Sequence, residues 1–202
     1  MNILNKLAIV IICLYVSDSL IARPISWSGG STFMYKTNSM ISSYFYHYSP
    51  TYKYSIGGEY VDDKYFNSKY FNIRGTYLLD RTNTKSSQRN LYITAALSTK
   101  ESDNFYSGIH GDWETRRLYT SFSHTYKHTK TRDYSESELQ FGIAPYLGEY
   151  NELHSWAMIK AKKDTINDNW DVYPFLKIFK GDFLLEVGTK NSHWDIHYML
   201  RF

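Results

Sequence analysis

The last ten residues of the chain, His193-Trp194-Asp195-Ile196-His197-Tyr198-Met199-Leu200-Arg201-Phe202, alternate strictly between two kinds of side chain. Trp194, Ile196, Tyr198, Leu200 and Phe202 fall on one face, and His193, Asp195, His197, Met199 and Arg201 on the other. A period of two over this length is a β-strand whose faces meet different solvents. Chain ends are ordinarily polar and frayed, whereas this one closes on an aromatic residue in register with its apolar face. Strands with one side in hydrocarbon and the other in water are the units of a transmembrane β-barrel.

The segment resembles the C-terminal assembly signal of bacterial outer-membrane proteins, which ends in Phe with aromatic or aliphatic residues at alternate positions before it. The resemblance covers only these ten residues. It implies that Trp194, Ile196, Tyr198, Leu200 and Phe202 address the chain to the barrel-assembly machinery, and that outer-membrane lipid surrounds the folded protein.

The other end of the sequence supports the same address. Residues 1–6 are a short basic start, residues 7–16 are apolar, and the small residues Ser17, Ser19 and Ala22 follow. That is the layout of a secretory signal peptide, with an apolar run too short to span a bilayer as a helix. Cleavage after Ser19 or Ala22 is compatible with it, and residues 1–22 are taken as the leader for Sec-type export. Cys13, the one cysteine, lies inside the apolar run behind the bulky Ile12, which does not fit a lipoprotein site. Residues 23–202 then form a single domain without disulfides.

Composition is compatible with a barrel but does not single it out. The chain carries 20 tyrosines and is 18% aromatic, and its mean hydropathy of −0.48 is too polar for a helical membrane protein. Half-wet strands with aromatic girdles produce this mixture, and so does a soluble tyrosine-rich sandwich. The net charge of +3, with acids and bases interspersed, gives no argument for a nucleic-acid partner.

Short alternating segments separated by turn-forming residues continue from residue 29 onward. Residues 52–61 set Tyr52, Tyr54, Ile56 and Tyr60 against Lys53, Ser55 and Glu59. Residues 69–80 set Phe71, Ile73, Tyr77 and Leu79 against Tyr70, Asn72, Arg74 and Thr76. Residues 89–99 set Leu91, Ile93, Ala95 and Leu97 against Asn90, Tyr92, Thr94 and Ser98. The faces of residues 115–128 are the least clear. Turns are expected at 49–51, where Pro50 cannot donate to a ladder, across 82–88, and at 180–181 and 190–191. Pro145 is expected to mark a bulge or a strand end, with Tyr150 and Trp156 suited to an interfacial girdle. The count comes to about twelve strands, an all-β, antiparallel, up-and-down transmembrane barrel. The 180 of 202 residues left after the leader give roughly 15 per strand and connection, enough for spanning strands of about 9–11 residues and short loops.

With the apolar face toward lipid, the other face lines a lumen. Its candidate lining residues are Arg74, Asp112, Glu114, Glu136, Glu138, Lys160, Lys162, Asp171, Lys177, Glu186, Asp195, His197 and Arg201, with Lys53 and Glu59 upstream. Buried charge must be paired, so a lumen filled by ion pairs is one reading. A charged transverse field across a narrow aqueous pore is the other.

Metal and catalytic chemistry find little purchase. His193 and His197 share a face but stand roughly 13 Å apart on a strand rising about 3.3 Å per residue, too far to chelate one ion, and no cofactor is implied. Ser123 and His124 are adjacent and point to opposite faces, as do His154 and Ser155. A His–Ser–carboxylate set on one face would be needed for a lipid hydrolase of the outer membrane. The expected function is a narrow channel or passive transport barrel for small polar or ionic solutes. A closed barrel serving a transport or efflux system is the alternative, and a lipid-modifying enzyme the third reading.

Overall fold

The structure is a computed structural model describing residues 24–99, 104–147 and 152–202; the leader expected at residues 1–22 lies outside them. Twelve strands among the described residues run in order: β1 (Ser31–Thr37), β2 (Ile41–Thr51), β3 (Tyr54–Asp63), β4 (Ser68–Asn83), β5 (Ser87–Ser98), β6 (Phe105–Thr115), β7 (Leu118–His128), β8 (Tyr134–Ile143), β9 (His154–Asp164), β10 (Trp170–Lys180), β11 (Phe183–Lys190) and β12 (His193–Arg201). Each pairs antiparallel with its sequence neighbours, and β12 pairs with β1 to close the barrel. At the seam the Ser31 N–H donates to the Phe202 carbonyl at 2.7 Å, and the Phe202 N–H donates to Ser31 at 2.9 Å.

Because the strand number is even, the start of β1 and the end of β12 lie at one rim, here called the terminal rim. The turn at residues 52–53, the connections 84–86, 116–117 and 181–182, and the end of β8 and start of β9 share it. The connections 38–40, 64–67, 129–133, 165–169 and 191–192, with the end of β5 and the start of β6, form the far rim, 191–192 being the last of them. At the last of these, Asn191 and Ser192 both adopt positive φ (47° and 66°), the handedness that matches a two-residue turn to twisted strands.

The exposure pattern separates this barrel from a water-soluble one. Ile73, Phe141 and Ile159 are each 54% exposed on the outer surface, whereas Ser55, Glu59, Asn72 and Lys160 are buried inside. A soluble sandwich would place these two sets the other way round. An apolar outside with a polar inside is the pattern of a barrel sitting in lipid.

Several local expectations are corrected. The β2–β3 turn is at 52–53 rather than 49–51, because Ser49 and Pro50 fall in a register shift between Tyr48 and Thr51. A bulge takes up the proline's missing donor without ending the strand. Lys53 therefore sits in the exposed turn, beside the Tyr52 ring, and not on the inner face. The expected loop across 82–88 shrinks to 84–86, since β4 and β5 extend to Asn83 and Ser87. A second bulge between Leu78 and Asp80 leaves Leu79 unpaired. Beyond it Asp80 points outward to Arg89, while Arg81 turns inward to Asn90 at 2.8 Å. Pro145 marks a strand end, since β8 stops at Ile143.

Gly57 is needed for the close approach of β3 to β2. A Cβ there would lie 1.9 Å from the Tyr46 carbonyl and 2.5 Å from the His47 Cα, both backbone atoms that cannot rotate away. Gly57→Ala is expected to prise the two strands apart and cost about 1–3 kcal/mol, the range for overpacking. A lower urea midpoint for loss of the heat-modifiable band checks it, with Gly75→Ala, where the nearest atom is 3.8 Å away, as the tolerated control.

Candidate functional site: the charged lumen

The inner face is a set of ion pairs assembled by cross-strand register. Glu136 on β8 lies between lysines of its two neighbours, with Lys127 at 2.5 Å from one carboxylate oxygen and Lys162 at 3.2 Å from the other. Glu186 on β11 is held between Lys177 at 3.3 Å and His197 at 3.2 Å. Lys160 contacts Asp195 at 3.1 Å and Glu138 at 3.9 Å, and Tyr173 also donates to Asp195. Arg74 reaches Glu59 at 3.3 Å, and Tyr106 donates to the second oxygen of Glu59 at 2.6 Å. Asp112 accepts from Asn90 at 2.7 Å and faces His110 at 3.6 Å. Lys190 pairs with Asp171. Three of these contacts join strands that are not neighbours: Tyr106 to Glu59 joins β6 to β3, Lys160 to Asp195 joins β9 to β12, and Tyr173 to Asp195 joins β10 to β12.

Between these pairs runs a cavity of about 670 Å³. At the far rim it is lined by Thr37, Asn38 and Ile41, and at the terminal rim by Thr84, Lys85, Ser86, Thr115 and Arg116. One continuous space therefore touches both mouths. Of the residues expected on the inner face, Arg74, Asp112, Glu114, Glu136, Glu138, Lys160, Lys162, Lys177, Glu186, Asp195 and His197 line it. Asp171 lies in a smaller recess at the far rim beside His193 and Lys190. Arg201 is inside the barrel but away from the main cavity, paired with Asp182 at 3.5 Å and covered by the Trp27 ring.

Lys36, Lys127 and Tyr106 were not among the expected residues, and all line the cavity, as does Tyr92 from the polar face expected of residues 89–99. Their positions follow the period of two: Lys36 shares parity with Met34 on β1, and Lys127 with Tyr119 on β7. Lys127 was obscured because β7 carries the polar Thr120 and His124 on its outer face, which blurs the alternation. Among the described residues Lys127, Lys160, Lys162, Lys177 and Lys190 all contact carboxylates, whereas Lys36 forms no ion pair and remains exposed to the lumen.

The outer polar residues of β7 find their partner across the strand. His124 Nδ1 lies 2.9 Å from the Ser137 hydroxyl, a pair placed by the β7–β8 register. The nearby carboxylate is occupied elsewhere: Tyr126 donates to Asp133 at 2.8 Å, and His128 contacts its other oxygen at 2.7 Å. The phenol's hydrogen bond, aided by the imidazole, holds the Asp133 carboxyl below its usual range. Asp133 thus orients His128 rather than His124, and a His–Ser–carboxylate set is not assembled at this pair. Among the described residues, no group of three or more His, Cys, Asp or Glu side chains is placed to hold a metal ion.

No protein-family model matches the sequence, and no curated protein matches it either. Solved structures do match in shape. A KdgM porin superposes with a TM-score of 0.52 at 9% identity, covering 86% of this chain and 98% of the porin. A KdgM porin in complex with disordered oligogalacturonate gives 0.51 at 8% identity, with the same coverage. At such identity the likeness is one of architecture: this chain has the closed, twelve-stranded antiparallel barrel fold of an outer-membrane porin.

Proposed function

We propose that the protein is an outer-membrane channel passing small polar and ionic solutes down their gradients. The observation that carries this reading is the single cavity lined by residues of both rims. The apolar outer surface and the likeness to porin structures support the membrane setting. The C-terminal strand would be the element read by the assembly machinery. Cleavage of a leader near Ala22 would leave a mature chain starting just ahead of Pro24.

The lumen's charge argues for small solutes rather than a long polyanion such as the oligogalacturonate bound by one of the similar porins. Its cations are largely committed to acids, so a polyanion would meet carboxylates such as Glu136 and Glu186 along its path. Lys36 supplies an uncompensated positive charge inside, which gives a mild preference for anions. Two unit charges about 4 Å apart interact by about 1 kcal/mol in water. Reversing one lumen charge, discounted for screening, is worth about a three-fold change in permeability ratio. Lys36→Glu is therefore expected to move the reversal potential in a KCl gradient toward cation preference. An unchanged reversal potential would place Lys36 outside the conduction path.

The cross-lumen contacts from Tyr106 to Glu59 and from Lys160 to Asp195 favour a second reading, a closed barrel that binds a partner. Swelling of liposomes containing the protein separates the two. The channel admits monosaccharides and excludes larger oligosaccharides; a closed barrel leaves every solute out.

A further inference from the structure

Residues 24–30, ahead of β1, do not trail away from the terminal rim but fold back inside it. Pro24 lines the main cavity. Ile25, 3% exposed, packs against Leu78 of β4 and Tyr92 of β5, and the Trp27 ring lies 4.9 Å from the Arg201 guanidinium of β12. This short strap therefore crosses the inner wall from β12 to β5. The backbone of Ser26 donates to the Ser49 hydroxyl at 3.0 Å. Its return into the wall is fixed by Gly29 and Gly30, which exchange backbone hydrogen bonds with Ser49 at 2.8 and 2.9 Å. Gly29 has φ +84°, and a Cβ on Gly30 would strike the Ser26 hydroxyl at 2.5 Å. The two glycines form a hinge at which the strap doubles back.

The seat beneath the strap is polar and poorly matched to it. Thr32 on β1, His47 on β2 and Ser55 on β3 lie on the stretch of wall that the strap crosses, and all three are buried although they face inward. The Thr32 hydroxyl, both ring nitrogens of His47, the Ser55 hydroxyl and the strap's own Ser26 hydroxyl have no hydrogen-bond partner. With no partner for these atoms within the protein, lifting the strap exposes all of them to bulk water, which stabilises the uncovered seat. Opposing this are the burial of Ile25, the stacking of Trp27, and the hydrogen bonds from the Ser26 N–H to Ser49 and from the Ser28 hydroxyl to the Pro50 carbonyl at 3.0 Å. Short terminal segments with few buried apolar contacts are where local opening of a fold begins.

We propose that residues 24–28 are a movable plug that gates the terminal mouth of the lumen, seated on the Thr32–His47–Ser55 wall in the narrow state and lifted from it in the wide one. The gating role rests on the channel reading, but the movement itself does not. The test uses the mature full-length barrel, which would lose Cys13 with its leader, so introduced cysteines report alone. In planar bilayers the unmodified protein should switch between two conductance levels. Ser26→Cys with Ser49→Cys, oxidised with diamide, should stay at the lower level and regain both on reduction. In liposomes the single variant Ser26→Cys should react with a membrane-impermeant maleimide, and adding Ile25→Asp should speed that reaction several-fold. A silent bilayer with the labelling result intact would remove the channel and keep the moving strap. Protection of Ser26→Cys from the maleimide with and without Ile25→Asp, or gating indifferent to the crosslink, would overturn the plug.

Discussion

Replacing Glu136 by alanine is expected to destabilise the barrel by about 2–3 kcal/mol. The carboxylate uses both oxygens, one on Lys127 at 2.5 Å and one on Lys162 at 3.2 Å, and all three side chains are only 15–16% exposed. Breaking a buried pair costs about 3–5 kcal/mol because the remaining charge has lost its counterion. Here lumen water offsets part of that, while two ammonium groups left facing each other across one strand add to it. Glu136→Gln keeps the shape and one acceptor, so it should fall between wild type and alanine. Asp62→Asn is the control, because its partner Lys69 at 3.5 Å is 64% exposed and exposed pairs contribute about 0–1 kcal/mol. Urea midpoints of the heat-modifiable band measure all three. Equal midpoints for Glu136→Ala and Asp62→Asn would mean that the lumen is too wet for its ion pairs to hold the strands.

Deleting Phe202 is expected to abolish most assembly rather than to change any transport property. Two consequences combine in that one residue. Its backbone makes both hydrogen bonds to Ser31 at the seam where β12 meets β1, so the deletion removes the last pairing that closes the barrel. Its ring is 59% exposed on the outer surface beside Tyr46, in line with the apolar face that resembles an assembly signal. Phe202→Tyr keeps backbone and aromatic face and should assemble. Phe202→Ala keeps the seam bonds and loses only the ring. Membrane fractionation of the three variants tells the roles apart: failure of the deletion alone assigns the residue to closure, and failure of alanine as well assigns it to recognition. Normal assembly of the deletion would remove Phe202 from both.

The barrel could be read from the sequence because each strand has to satisfy two solvents at once. On β3, β4, β5 and β6 the lipid-facing set (Ile56, Ile73, Ile93, Ile109) and the lumen-facing set (Glu59, Arg74, Asn90, Asp112) separate by parity alone. Parity fails where the chain inserts a residue. The bulge at Leu79 turns Arg81 inward and Asp80 outward, and the irregularity after Tyr48 moves the turn past Pro50. It also blurs where a polar side chain meets lipid with a partner on the next strand, as His124 does with Ser137. The strap at residues 24–30 had no periodic signal at all. Its place inside the barrel depends on tertiary contacts of Ile25 and Trp27 that no local pattern encodes. The ion pairs were legible as composition but not as partners, because which lysine faces Glu136 is set by register across three strands.

The most direct test of the central claim is the current through purified, folded protein in a planar lipid bilayer held at constant voltage in KCl. A lumen continuous from Thr37 and Asn38 at one rim to Lys85 and Arg116 at the other predicts discrete conductance steps as single barrels insert. Heat-modifiable, membrane-inserted protein that leaves the bilayer electrically silent would contradict it, and would make the ion pairs of the lumen a seal.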